Sequence, residues 1–352
     1  MKLAILNDTH FGCRNDSPHF IDYQNKFYNE IFFPYLEENN IKHIVHLGDV
    51  VDRRKFINYY TAHNFQNVFW KRLWDMKIDT HIIIGNHDTY YKNTNSVNAM
   101  QQLITTFDGK FEPWIYTEPK EVVFDGLPIL FVPWICDDNE QITLEAIQNT
   151  KAQICFGHLN IKGFEMHKGY FNEHGQEKSL FRRFEKVISG HFHKKSDDGQ
   201  IYYLGTQYEI TWNDYKCPKG FHVFDTRTRE LERIPNPRRM FRKIMYDDTK
   251  EQYNEKEISE FDNTFLKLIV VNKKKEKMFE NFINRLHKEI NLHELIILEE
   301  ETSSLTTVRA DLIDQGEDTL TFLGNYVEQI ETDLDRQKIK DIIAKEYSEA
   351  NE

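Results

Sequence analysis

Ile44-Val45-His46-Leu47-Gly48-Asp49-Val50-Val51-Asp52 joins a short apolar run to a glycine and two carboxylates. A run of this kind, closed by a turn residue, reads as a buried strand, so Asp49 stands where that strand ends. The same arrangement recurs along the chain. Apolar residues 3–6 lead into Asp8-Thr9-His10, 82–84 into Gly85-Asn86-His87-Asp88, 154–156 into Gly157-His158 and 187–188 into Gly190-His191-Phe192-His193. Side chains at the carboxyl ends of several strands converge on one edge of a sheet, where open α/β folds carry their chemistry. The fold would thus gather Asp8, His10, Asp49, Asn86, His158, His191 and His193 into one site.

Helical patterns at 22–38, 59–76 and 96–107 alternate with the first strands and favour an α/β sandwich. From Trp114 onward the pattern shifts to shorter strands, at 121–124, 127–132, 201–204 and 220–224, with a helix at 140–149. The expected class is α/β (α+β): a two-sheet β-sandwich core flanked by helices, plus a small α/β cap domain and C-terminal helices. Pro235-Asn236-Pro237 marks a boundary. The expected division is 1–236 for the catalytic core, 237–315 for the cap and 316–352 for the terminal helices. Within the latter two, strands are expected at 265–271 and 295–298 and helices at 277–290, 320–330 and 337–347. The last two helices read equally as an amphipathic cap or as a docking segment.

Aromatic residues make up 14% of the 352, against 15 Gly and 9 Pro, which excludes a disordered or low-complexity chain. The net charge of −12 comes wholly from residues 247–352, which hold 14 Lys and Arg against 26 Asp and Glu; residues 1–246 hold 31 of each. An acidic total counts against a polyanionic partner, but a neutral front with cations beside the motifs does not. Arg53-Arg54-Lys55 and Lys194-Lys195 are so placed, whereas Arg182-Arg183 and Arg238-Arg239 read as solvated pairs. Cys13, Cys136, Cys155 and Cys217 lack zinc-pair spacing and disulfide density, which suggests reduced thiols in a cytoplasmic protein. No apolar stretch reaches the roughly 18 residues of a membrane span, and the first strand begins at once, so neither membrane association nor a signal peptide is expected.

In extended backbone alternate side chains share a face, so Asp8 and His10 should point the same way, as should His191 and His193. Asp49 is the expected bridge, one oxygen to each of two divalent ions. Imidazole, carboxylate and amide ligands without thiolate suit manganese, iron or zinc in an open site. Two such ions can hold a phosphate oxygen, activate a water and neutralise the leaving oxygen, which is phosphoester hydrolysis. His87 lies in a tight turn and is placed to contact the phosphate and protonate or orient the leaving group. Asp52 and Asp88 are either partners that orient the imidazoles or helix N-caps. His19, His43, His46, His63 and His81 read as ordinary core or surface histidines.

The five motifs in this order resemble the calcineurin-like metallophosphoesterase superfamily. Within it the chain is similar to the SbcD-type DNA repair nucleases of the Mre family, including the short recombination subunit of T-even-type phages. Arg53 and Arg54, Tyr90-Tyr91-Lys92-Asn93, Val132-Pro133-Trp134 and Tyr203-Leu204-Gly205-Thr206 add to the likeness, which covers residues 1 to about 234. The resemblance implies one ion on Asp8, His10, Asp49 and His193, another on Asp49, Asn86, His158 and His191, and His87 as the catalytic histidine. It implies Mn2+, a duplex DNA exonuclease and single-strand endonuclease acting in DNA repair and recombination, and host cytoplasm as the location if phage-encoded. DNA contacts are expected from Arg53, Arg54, Tyr91, Lys92, Lys194 and Lys195. It further implies an SbcC-type ABC ATPase with a coiled coil as partner, docked through 335–350, and a homodimer formed by helices 59–76 and 96–107. An intramolecular core would explain the apolar residues of these helices too, but the aromatic excess of Phe69, Trp70, Leu73 and Trp74 favours that partner surface. The rival expectations are a phosphatase or small-molecule phosphodiesterase of the same superfamily, and a catalytically silent scaffold or DNA-end-binding subunit.

Overall fold

A computed structural model describes residues 1–104, 113–167, 170–299, 327, 334–340 and 342–343. The chain divides into two compact units, Met1–Ile210 with Lys216–Arg238, and Thr211–Tyr215 with Arg239–Glu352.

The first unit is built on two six-stranded sheets. In one, Lys2–Leu6 lies between Gly220–Asp225, antiparallel to it, and His43–His46, parallel to it; Asp79–Ile83 and Trp114–Tyr116 continue in parallel. In the other, Ile154–His158 pairs in parallel with Lys186–Gly190 on one side and Leu127–Val132 on the other. Strand alternation turns Leu3, Ile5, Val45 and Ile83 of the first sheet toward Ile129, Phe131, Ile154, Phe156 and Ile188 of the second, and these residues form one buried cluster. The opposite face of the second sheet, with Leu130, Cys155 and Val187, packs on Ile147, Phe181 and Phe184. This is the expected mixed α/β, two-sheet architecture.

Pro18–Phe27, Tyr28–Phe32 and Phe33–Glu38 form one continuous helical stretch, as do Tyr59–Asn64, Phe65–Trp70 and Lys71–Asp75; each has a π-turn at its centre. Their apolar faces meet in an aromatic layer: Phe11 packs on Phe65 and Phe69 at ring distances of 5.1 and 5.5 Å, and Tyr28 on Phe69 at 5.0 Å. Phe65, Phe69, Trp70 and Leu73 are at most 3% exposed. These four are therefore core, not partner surface, while Trp74 is half-buried; each buried ring contributes about 1.5–3 kcal/mol where it stands. Met100 and Leu103 are buried too, leaving Phe56, Tyr59, Tyr60 and Val97 as the exposed apolar residues of that region. The helix expected over 96–107 is only Ala99–Leu103, capped by the Asn98 side chain; Phe107 lies outside the described residues.

In the second unit Phe241–Asp247, Phe265–Asn272 and Glu294–Glu299 form an all-parallel sheet, with helix Glu276–Glu289 crossing between the last two. A parallel pair needs such a crossover. Tyr246, Leu266, Leu268, Phe282 and Leu286 make its core. The first of these strands was not anticipated, because Arg242 and Lys243 interrupt the apolar signal. Most of 316–352 lies outside the described residues; within the expected docking segment 335–350, residues 336–340, 342 and 343 are helical. Among the described residues no helix is long and apolar enough to cross a membrane.

Candidate metal centre

The five motifs do meet at the carboxyl ends of their strands. Asp8, His10 and His193 form one group of potential ligand atoms and Asp49, His158 and His191 another, each within 4.8 Å of one another. His10 Nε2 lies 3.0 Å from His193 Nε2, and His158 Nε2 lies 3.0 Å from Asn86 Oδ1. Asp49 Oδ2 faces both groups, 3.3 Å from His158 Nε2 and 3.9 Å from His10 Nε2. Its other oxygen accepts the His87 backbone N–H at 2.8 Å, so Oδ2 is the Asp49 oxygen that stands between the two groups.

The backbone reaches this arrangement by leaving the strand conformation. Asp8, His10, Asp49 and His191 all have positive φ, at 47°, 43°, 54° and 87°. The extended-strand argument for Asp8 with His10, and for His191 with His193, therefore fails; the two histidines fall in different groups. Left-handed conformations cost non-glycine residues of order 1–3 kcal/mol each and cluster at functional sites. Two glycines make room. A Cβ on Gly85 would lie 2.3 Å from both the Asp49 N and Oδ1, and one on Gly48, at φ 93°, 2.5 Å from His158 Nδ1.

Backbone carbonyls set the imidazoles. His158 Nδ1 donates to Leu47 O at 2.7 Å and His87 Nδ1 to Asp52 O at 2.5 Å. Each ring therefore presents Nε2 to the cleft. The His10 ring packs edge-on to His87 at 4.9 Å, and its Nδ1 makes no hydrogen bond, only a 3.4 Å charge contact with Asp52 Oδ1. Asp88 does neither job expected of it. Its Oδ1 accepts from Val50 N and Val51 N at 2.8 and 3.2 Å and its Oδ2 from Gly85 N at 2.9 Å, so it staples the two motif turns together.

Burial works against charge throughout the site, yet the histidines do not respond alike. For His10 it is outweighed by Asp52, Asp49 and Asp8, which push the imidazole up to about 9. His158, beside Asp49, also rises to about 9. His191 is pulled down to about 3 by burial and by the positive His158. Burial raises the Asp8 carboxyl, whereas around Asp49 the imidazoles of His158, His87 and His10 overcome it and hold that carboxyl well below its usual range. In the protein alone, a proton must separate the facing His10 and His193 nitrogens, and another must join His158 to the Asn86 and Asp49 oxygens. Lone pairs aimed at one another in a buried cleft fit divalent cations.

Several supports were not visible beforehand. Asn7 Nδ2 donates to Asp8 Oδ2 at 2.6 Å and to Gly205 O at 3.0 Å, and the His191 N–H donates to both Asp8 oxygens at 3.0 Å. Thr9 Oγ1 meets His46 Nε2 at 3.0 Å, and Trp134 stands 5.1 Å from the His191 ring. Their hints in the sequence were slight: Asn7 and Thr9 adjoin ligands, and Gly205 and Trp134 lie in stretches that carry the family likeness, but no bond among them was announced. Of the expected DNA-binding cations, Arg53 is paired with Asp16, Lys194 with Glu165 and Lys195 with Asp197. Among the described residues Arg54 bonds only to uncharged oxygens, and Tyr91 and Lys92 are exposed.

The calcineurin-like phosphoesterase model matches residues 1–195. "Exonuclease subunit 1" of Enterobacteria phage T4 is 30% identical over 355 residues, covering 100% of both chains. A solved archaeal phosphodiesterase covers 67% of this chain and 100% of its own at 16% identity, with a TM-score of 0.33. That structural likeness is too loose to bear on fold or function. From the family match across the motifs and the full-length similarity to the phage protein, the chain belongs to the calcineurin-like phosphoesterase family.

Proposed function

We propose that this phosphoesterase is a manganese-dependent DNA nuclease, cutting duplex ends and single strands in DNA repair and recombination. The observation that carries the reading is the pair of ligand groups, Asp8-His10-His193 and Asp49-His158-His191, with Asp49 Oδ2 between them. Asp8, His10, Asp49 and His193 would hold one ion, and Asp49, Asn86, His158 and His191 the other. When bound, the ions supply Lewis acidity toward the phosphate and an activated water.

The protein's own groups supply the rest. His87 is locked by the Asp52 carbonyl with its Nδ1–H engaged, so Nε2 is the atom that gives a proton to the leaving oxygen or takes one back. The His87 backbone N–H, donating to Asp49 Oδ1, ties the turn that carries the ring to the ligand carboxylate. Arg54 adds a cation at the rim with no carboxylate bound to it among the described residues. The full-length similarity to a phage protein named as an exonuclease subunit supports a polynucleotide substrate and a partner subunit, which we take to be an SbcC-type ABC ATPase. A homodimer would use Phe56, Tyr59, Tyr60 and Val97, the apolar residues exposed beside the expected helices.

The test is incubation with Mn2+ and end-labelled duplex and single-stranded DNA, with aryl phosphate mono- and diesters alongside. DNA cleavage that stops with chelator and weakens steeply as salt rises is expected. Hydrolysis of the aryl esters with DNA left intact would overturn it.

A further inference from the structure

Adjacent arginines have opposite environments. Arg53 is bound by Asp16 and Asn15, and its guanidinium lies 4.5 Å over the Phe56 ring. The Arg54 Nε donates to Thr89 O at 3.3 Å, and its Nη2 to Thr89 Oγ1 and Tyr91 O, both at 3.1 Å. These acceptors are uncharged, so they aim the guanidinium without neutralising it, and among the described residues its Nη1 makes no hydrogen bond.

The loop that clamps Arg54 is also the loop that carries Asn86 and His87. Thr89 Oγ1 donates to Asn86 O at 3.2 Å, and Tyr90 N to Val97 O at 2.9 Å, so its backbone is pinned at both ends. Its two aromatic rings are nonetheless in solvent. Tyr90 is 42% and Tyr91 52% exposed, and they stand edge to face at 4.8 Å. A pinned loop that holds two rings out of the core, next to an uncompensated guanidinium, presents the two surfaces a nucleotide needs. One is a planar cation for phosphate, and the other is a π-face for a base.

We propose that Arg54, Tyr90 and Tyr91 form a subsite that takes an unpaired nucleotide next to the scissile linkage, the guanidinium on its phosphate and the tyrosines on its base. The inference rests on the nuclease reading above and specifies its substrate. A base inside a duplex has both faces covered by its neighbours, so only a single strand or a frayed end offers a face to Tyr91. The same centre would therefore cut unpaired strands and melted ends in preference to internal duplex.

Single-stranded oligonucleotides with one abasic position, moved stepwise past the cut, test this in the presence of Mn2+. In the parent protein, the abasic position beside the cut should slow cleavage by about 5- to 100-fold, the span of one lost stacking contact. The Y90A/Y91A variant should cut intact strands more slowly by a similar factor and show no further loss on the abasic strand, while Y91F keeps the parent pattern. R54M should raise KM on intact and abasic strands alike and reduce the salt slope of kcat/KM by about one. If Y90A/Y91A still discriminates against the abasic strand as the parent does, the tyrosines do not hold the base and the proposal falls. An aryl phosphodiester separates the two readings: a parent protein that hydrolyses it but cuts no DNA defeats the nuclease assignment itself.

Discussion

Replacing Asp88 tests whether this carboxyl is a staple. It is fully buried, and its two oxygens accept the backbone N–H groups of Val50, Val51 and Gly85. Those amides flank Asp49 and Asn86, so one side chain sets the spacing of the second and third motifs. In Asp88→Ala all three amides lose their partner inside the protein, where an unsatisfied buried donor costs about 1–3 kcal/mol. Relaxation and entering water recover part of this, leaving about 3–6 kcal/mol, a large share of the roughly 5–15 kcal/mol that holds a typical domain. Asp88→Asn keeps one oxygen for Val50 and Val51 but turns an NH2 toward the Gly85 N–H, a loss of about 1–3 kcal/mol. Denaturant unfolding of the metal-free proteins should give the order parent, D88N, D88A, and Mn2+ titration should show weaker binding in the same order. A D88A protein within about 1 kcal/mol of the parent, with unaltered Mn2+ affinity, would refute the stapling argument.

Asp49→Asn should weaken Mn2+ binding at both groups, whereas His87→Asn should keep the metal and lose about 10²–10⁴-fold in cleavage rate; equal metal loss in calorimetric titrations of both variants would show that His87 is misassigned. His222 is buried and held neutral, its pKa pulled down to about 3 by burial with Lys195 and Arg233 nearby. Its ring protonates more readily in the unfolded chain, near 6.5, so its contribution is complete above that pH. It is lost as pH falls toward 3, at up to about 1.4 kcal/mol per pH unit. His222→Leu should flatten that acid limb in urea melts recorded from pH 7 to 4, and an unchanged slope would argue that the ring is not desolvated. Phe69→Ala should cost about 3–5 kcal/mol in the same melts, while Tyr59→Ser, at a 93% exposed position, should leave stability alone and shift only a monomer–dimer equilibrium measured by sedimentation. A Phe69 variant of parental stability would return that ring to the surface.

Strands 2–6, 43–46, 79–83, 154–158 and 186–190 were legible because each contains or runs into a short apolar stretch stopped by glycine or a polar turn, a signal local to the chain. The ligand set followed from them, since residues just past parallel strand ends have one place to go. Where backbone conformation or burial had to be guessed, the reading failed. Asp8 and His10 are spaced as a strand pair but sit at positive φ, which the surrounding contacts impose and no residue type in that stretch announces. The aromatic face from Phe65 to Leu73 fitted either an intramolecular core or a partner surface, and its excess of rings favoured the surface. That face is buried because the 18–38 helical stretch brings Tyr28 and Phe33 to meet it.

Residue order alone determined that strands alternate with helices, that five strand ends carry imidazole, carboxylate and amide groups, and that a two-ion phosphoesterase chemistry suits them. Tertiary structure decided which groups pair. It brought together the two groupings that the family resemblance had implied, made Leu47 O and Asp52 O the partners of His158 and His87, and made Asp88 a backbone staple where an imidazole partner or a helix cap had been expected. The division has one physical cause. Side-chain chemistry and local periodicity are written in neighbouring residues. A carbonyl acceptor is identical at every position, and an aromatic face is buried or bare only according to what packs on it from elsewhere in the chain.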